Sequence, residues 1–211
     1  MADTQPTTGT PDAADRRREA MLEAAATIIA ERGFSETRIT DVARRVGTSP
    51  ALVVYYFGTK DTLLTEALRH SEDAFYRAAE TMLRETPRLR DRLDMLVRLT
   101  FVPNHENEMP GAWGLWFDLW AQAFRHPQVA RDRVVLDEQW RAMIARIVDD
   151  AVAAQEIKKT DSRAFALTWC ALLDGLCIQV ALEDPAVDPA RAADIALDFA
   201  YQALGLGRRR P

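Results

Sequence analysis

The chain has 211 residues, 48% of them hydrophobic and 28% charged, with a net charge of −5, a globular balance that excludes a disordered chain or a protein coated in nucleic acid. No uninterrupted run of about 18 apolar residues occurs, so no membrane-spanning helix and no membrane contact are expected. The opening "MADTQPTTGTPDAAD" lacks the basic end and apolar core of a secretory signal, so a cytoplasmic protein is expected, with residues 1–15 as a disordered polar tail.

The first helix is predicted to start near Arg16. Leu22, Ala25, Ala26 and Ile29 fall at i, i+3, i+4, i+7, and Gly33 supplies a C-terminal stop. Thr40 then reads as the cap of a very short helix, with Asp41 in the first turn where the dipole favours an acid. Val42, Ala43 and Val46 give that helix its apolar face, and Gly47 ends it. Ser49 and Pro50 open the next: a hydroxyl cap, then a ring that pre-sets the first helical φ. Leu52, Val53, Val54, Tyr55, Tyr56 and Phe57 follow in a row before Gly58. Thr59 caps a longer helix carrying Leu63, Leu64, Ala67 and Leu68.

Two helices of about seven residues, joined by a glycine-centred turn, are unstable alone and need packing on their neighbours. Small Ala43 lets them approach, and Val42, Val46, Val53 and Phe57 are the expected shared core. This is the helix-turn-helix pattern, whose second helix enters the DNA major groove. Arg16 to Lys60 carries eight Lys/Arg against five acids, while the rest of the chain is acidic. A locally basic unit on an acidic body fits a local electrostatic footprint.

Further helices are predicted at about 61–85, 89–102, 112–125, 127–155, 161–183 and 189–204. Asp188–Pro189 repeats the cap-then-proline start, and Gly205 lies beyond the last helix. No strand alternation is sustained and no internal repeat is found, so the fold class is all-α. The expected division is a tail over 1–15, a helix-turn-helix domain over 16–62 and a helical body over 63–211.

Cys170 and Cys177 lie seven residues apart on a predicted helix, roughly 10 Å between Cα atoms, too far for a disulfide. Two buried thiols are expected. His70, His105 and His126 show no ligand spacing, and there is no phosphate loop or nucleophile elbow. No cofactor, no metal and no enzymatic activity are expected.

"WGLWFDLWAQAF" places Trp113, Trp116, Phe117, Trp120 and Phe124 on one helix face. That face reads either as packing core or dimer seam, or as the wall of a ligand pocket. Phe101, Met109, Met143, Trp169 and Cys177 are the candidates to complete such a pocket. Asp118 and Asp174 are the notable acids. Asp174 interrupts an otherwise apolar helix, where an unpaired charge is costly. Beside the tryptophans it would attract a cation through charge and cation–π interaction. Val102 to Gly111, polar and bounded by prolines, reads as a mobile loop.

"GFSETRITDVARRVGTSPALVVYYFGTKDTLL", Gly33 to Leu64, resembles the signature of the TetR family of bacterial transcriptional regulators. It has the glycine–aromatic turn, a short helix with a central alanine, G-x-S, an aromatic cluster ending in Phe, and a lysine opening the fourth helix. The tryptophan-rich stretch, with the long helix and two closing helices after it, is similar to the regulators of choline-betaine genes within that family.

The resemblance implies a homodimer through the helices at about 161–183 and 189–204, a palindromic double-stranded DNA operator, and a small-molecule effector that weakens DNA binding. It also implies roles for matching positions. Thr40, Tyr55 and Lys60 correspond to phosphate contacts, and Tyr56 stands where the family often has histidine. Ser49, Pro50, Ala51 and Leu52, with Thr48 beside them, occupy the turn that reads base edges. Arg38, Arg44 or Arg45 would help from nearby, and Arg16 to Arg18 would reach a minor groove. Tyr55 and Tyr56 as plain core aromatics is the alternative.

Two positions depart from the family pattern. Val54 stands where tyrosine is common, and "SPAL" carries no Arg, Lys, Asn or Gln, so bidentate base contacts are not expected from that turn. Thymine methyls and DNA shape would have to supply more of the specificity. The competing classes are a dimeric adaptor or architectural protein that has lost operator reading, and a small-molecule enzyme.

Overall fold

The computed structural model describes residues 13–101 and 109–207, omitting the side chains of 74, 75, 78 and 109–112. Nine helices are found among them and no strand: α1 Ala13–Arg32, α2 Ile39–Arg45, α3 Pro50–Phe57, α4 Lys60–Glu85, α5 Leu89–Phe101, α6 Met109–Ala123, α7 Pro127–Ala153, α8 Ser162–Ala181 and α9 Pro189–Ala203. The all-α expectation holds.

Several boundaries differ from the sequence reading. α1 begins at Ala13, ahead of Arg16, so the last residues of the expected tail are helical; residues 1–12 lie outside the described residues. The cap of α2 is Arg38, with Thr40 already inside the helix. The reason lies upstream. Phe34 and Thr37 are buried, and Thr37 Oγ1 donates to the Gly33 carbonyl at 2.8 Å. That pins the turn early enough for the helix to begin at Ile39. Asp41 accepts from the Arg38 N–H at 3.3 Å, closing the first turn from inside.

The other caps form as expected. Ser49 Oγ accepts from the Leu52 N–H at 3.2 Å, with Pro50 next in line. Thr59 Oγ1 accepts from the Thr62 N–H at 3.1 Å and starts α4. Gly47, at φ +66°, makes the turn between α2 and α3 that a side chain would strain.

α6 starts at Met109, so Met109 to Gly111 are helix and not the end of a loop; 102–108 of that predicted loop lie outside the described residues. α6 ends at Ala123. Phe124 falls past its end and is 93% exposed, so it is no part of the aromatic wall.

Two apolar cores form. One joins α1, α2, α3 and the start of α4 to Leu115 and Leu119 of α6 and to Val129 and Leu136 of α7. The other joins the end of α4 to α5, the second half of α7, α8 and α9. The 26-residue α4 therefore runs through both, and α6 lies across their seam. Val42, Val53 and Phe57 are buried as expected, whereas Val46 is half-buried.

By length and composition alone α8 is apolar enough to cross a membrane, a test that the core helix of a helical body passes equally. In the fold, Phe165, Ala166, Trp169, Cys170, Leu173, Leu176 and Cys177 form its buried face against α7 and α9. Leu167, Ile178 and Leu182 stand exposed on the opposite side.

Candidate nucleic-acid interface and effector site

α3 splits into two faces. Val53 and Phe57 are buried, with Leu52 and Tyr56 half-buried against the same core. Ser49, Pro50, Ala51, Val54 and Tyr55 point outward. Tyr55 is 81% exposed, which removes the core reading for it, and its ring meets Tyr56 edge-on at 5.6 Å. Tyr56 is a bracing residue with its ring on Phe57 at 6.2 Å.

The surrounding polar groups are partly engaged. The Lys60 ammonium lies 4.3 Å from the Phe34 ring centre and donates to the Ser35 carbonyl at 3.2 Å. Partial burial there lowers its pKa from the usual lysine range. Arg44 pairs with Asp41 at 3.3 Å and Arg45 with Glu31 at 3.4 Å, both on the surface. Arg18 is tied to Glu66 on α4 and lies 5.5 Å over Phe57. That holds α1 on the head, so Arg18 departs from the minor-groove expectation, while Arg16 and Arg17 are exposed. Thr40, Arg38 and Thr59 are exposed, and Thr48 is half-buried.

Among the described side chains of α6 the deepest are Leu115, Leu119 and Gln122, not the aromatics. Trp113, Phe117, Trp120 and Trp116 form a half-buried ladder beside them, with ring centres 6.1, 5.7 and 5.9 Å apart in succession. Trp113 packs on the body core and Trp116 on the head core. Trp116 Nε1 donates to Glu72 Oε1 on α4 at 3.0 Å. One turn on, Tyr76 interacts with the Glu72 carboxylate and sits 6.4 Å from Trp140 of α7.

Three carboxyls gather in this region. Burial raises the Glu72 pKa in spite of its hydrogen bonds. Burial also raises Asp137, against the pull of Arg133, with which it is paired, and of Arg141. Asp174 is pushed up to about 6, chiefly by burial and then by the like charge of Asp137. A region of aromatic faces and buried carboxyls has an electrostatic preference for a cation.

The remaining pocket candidates divide. Phe101, Trp169 and Cys177 are wholly inside the body core, and Trp169 Nε1 donates to the Ala196 carbonyl at 2.9 Å. Cys170 and Cys177 are free buried thiols; burial pushes Cys170 up to about 12 and Cys177 higher still. Met143 lines a separate surface groove of about 240 Å³ with Leu83, Ile147 and Arg146. The Met109 side chain lies outside the described residues. Sequence reading missed Glu72, Tyr76, Asp137 and Trp140. Glu72 and Tyr76 share an i, i+4 face, but such a pair is ordinary on any solvated helix.

The aromatic helix also touches the head. Asp118 Oδ2 accepts from the Phe34 N–H at 2.7 Å, and Gly114 lies close against Ala30 of α1. At the α6–α7 turn His126 Nδ1 is 3.2 Å from Asp61 Oδ2 on α4.

The family model for the N-terminal part of the bacterial regulatory proteins of the tetR family matches residues 21–67. The C-terminal model of the BetI-type transcriptional repressors matches residues 87–205. The chain is 27% identical over 192 residues to the HTH-type transcriptional regulator BetI of Pectobacterium carotovorum, covering 89% of this chain and 94% of that protein. It is 24% identical over 183 residues to the BetI of Rhizobium meliloti, covering 87% of each. Among solved structures, a transcriptional regulator from Saccharomonospora viridis in complex with choline superposes with a TM-score of 0.75 at 28% identity, covering 88% of this chain and 95% of that one.

Proposed function

The chain belongs to the TetR family of transcriptional regulators, which are not enzymes, and from that premise we propose that it is a homodimeric, cytoplasmic repressor released from a palindromic operator by a small cationic effector. One observation carries the reading: α3 buries Val53 and Phe57 while Pro50, Ala51, Val54 and Tyr55 of the same short helix stand in solvent. Such a half-covered helix is completed by a DNA groove.

The reading assigns a head over 16–62 and a body over 63–211. Ser49, Pro50 and Ala51, with Thr48, approach base edges, whereas Leu52, expected among them, is turned against the head core and supports that turn from behind. Tyr55, Thr40, Lys60, Arg38 and Arg45 approach phosphates, setting affinity and register more than specificity. Tyr56 braces Tyr55 from behind. The dimer forms on α8 and α9, where Leu167 and Ile178 of α8, with Leu182 at its C-cap, leave an apolar stripe.

The effector site assigned is the ladder Trp113, Trp116, Phe117 and Trp120, joined through Trp116 to Glu72, with Tyr76 linking Glu72 to Trp140 and Asp137, and Asp137 to Asp174. The relative from Saccharomonospora viridis holds choline, and a quaternary ammonium suits an anionic aromatic site here. Phe101, Trp169 and Cys177 shape its floor from the core. Effector binding changes DNA affinity only if it favours one spacing of the two heads. α6 carries the rings and touches the head through Asp118, while α4 runs beside it through both cores.

A titration of the purified chain against duplex DNA from upstream of its own gene tests the reading. Salt-dependent, saturable binding weakened by choline is expected. Salt-independent or absent binding, with choline without effect, favours an adaptor that has lost operator reading.

A further inference from the structure

Resting on the regulator reading above, we infer that α3 selects its operator through thymine C5-methyl groups, with Val54 and Ala51 as the residues that read them. The outward stripe of α3 runs Pro50, Ala51, Val54, Tyr55. At about 100° per residue, Ala51 and Val54 lie about 60° apart and flank the middle of that stripe. Pro50 and Tyr55 occupy its margins.

The groove-facing centre therefore carries only methyl groups. Val54 is 45% exposed, a large uncovered fraction for a branched apolar residue on a helix of eight. Ser49, the N-cap, accepts from the Leu52 N–H with its Oγ and keeps a single O–H to donate, which cannot make a bidentate base contact. Pro50 has no N–H. The nearby cations lie off α3, and Arg44, Arg45 and Lys60 are engaged with Asp41, Glu31 and the Ser35 carbonyl.

The major groove offers hydrogen-bonding edges on every base pair, but one apolar feature in unmodified DNA, the thymine methyl. Guanine and adenine are read by bidentate Arg, Lys, Asn or Gln, and this stripe has none. A valine and an alanine set side by side match a run of thymine methyls in shape and polarity. They also desolvate without loss of a hydrogen bond.

The test uses the full chain to select duplexes from a randomised library. The selected duplex is then resynthesised with deoxyuridine in place of thymine, one position at a time, which removes only the methyl. Loss of a read methyl is expected to weaken binding about fourfold, as one buried carbon does. Val54→Ala is expected to abolish that penalty at one position per half-site and leave it at the others. Val54 is outside the core, so Val54→Ala should keep the thermal midpoint of the parent. Equal affinity for thymine and deoxyuridine duplexes overturns the inference, as does a Val54→Ala variant that weakens both equally. If no duplex is enriched, the regulator reading itself fails, and this inference with it.

Discussion

Asp118 Oδ2 accepts a hydrogen bond from the Phe34 N–H at 2.7 Å, a contact between residues 84 positions apart in the chain. Phe34 in turn carries the Lys60 ammonium on its ring face at 4.3 Å. A side chain of the aromatic helix is thus one residue removed from a proposed phosphate contact. Trp116 and Trp120, on the same helix, belong to the ladder, and Trp116 donates to Glu72. A rotation of α6 driven at the rings would reach the head through Asp118.

Asp118→Ala leaves the part-buried Phe34 N–H unpaired, so a loss of stability on the order of 1–3 kcal/mol is expected. Asp118→Asn keeps an acceptor and should retain most of that stability. The informative readout is the ratio of DNA affinities with and without choline. It should fall toward unity in Asp118→Ala by more than the DNA affinity itself changes. An unaltered ratio would remove Asp118 from the coupling.

Asp174 predicts opposite effects on stability and effector binding. Burial, and then the like charge of Asp137, push its carboxyl up to about 6, above the ordinary aspartate value of 3.8. Between those values the folded state holds the proton more tightly than the unfolded chain. The stabilisation is therefore complete below about pH 4 and is lost as pH rises through about 6. Asp174→Asn should match the parent near pH 4 and exceed it at pH 7, by on the order of 1 kcal/mol for a half-buried group. Thermal melts of both proteins from pH 4 to 8 measure this. Choline affinity should run the other way, rising with pH through 6 in the parent and staying flat and weaker in Asp174→Asn.

At the DNA face, Tyr55→Phe removes one hydroxyl from a ring already 81% exposed, so folding should be untouched. Operator affinity should drop a few-fold, the scale of one neutral hydrogen bond of about 1 kcal/mol. Lys60→Ala should weaken binding more and lower the salt slope by about one ion. Because Lys60 also braces Phe34 and Ser35, its thermal midpoint must be measured beside it. Unchanged affinity in both variants would contradict the phosphate roles.

How far the chain could be read from its residues depended on the range of the physics involved. Caps and turns act locally, so Ser49–Pro50, Thr59, Gly47 and Asp188–Pro189 marked helix starts and stops correctly. Thr40 misled because the start of α2 is fixed by burial of Phe34 and Thr37, a tertiary effect with no signature at Thr40 itself. The tryptophan periodicity identified α6 but not its orientation: Leu115 and Leu119 took the core and left the rings half-covered. Glu72, Tyr76 and Asp137 gain their character only from burial between helices distant in sequence. No spacing rule announces that.

α8 carries the last prediction. Its buried face satisfies the body core, yet Leu167, Ile178 and Leu182 recur on the other side at helical spacing and remain exposed, Leu182 at 74%. Ala171 and Gly175 lie between them on the same stripe, small enough to let a second helix approach closely. An apolar stripe of this length in water favours association, and a two-fold axis would place it against its own copy. Ile178→Glu sets two like charges against each other at the middle of that seam. Because Ile178 is partly exposed and outside the buried core of one chain, the helix content should be unchanged by circular dichroism. Sedimentation should report the parent as a dimer and Ile178→Glu as a monomer at micromolar concentration. Operator affinity should fall at least a hundredfold, since a single head holds only half of a palindrome. A variant that stays dimeric would move the seam off α8.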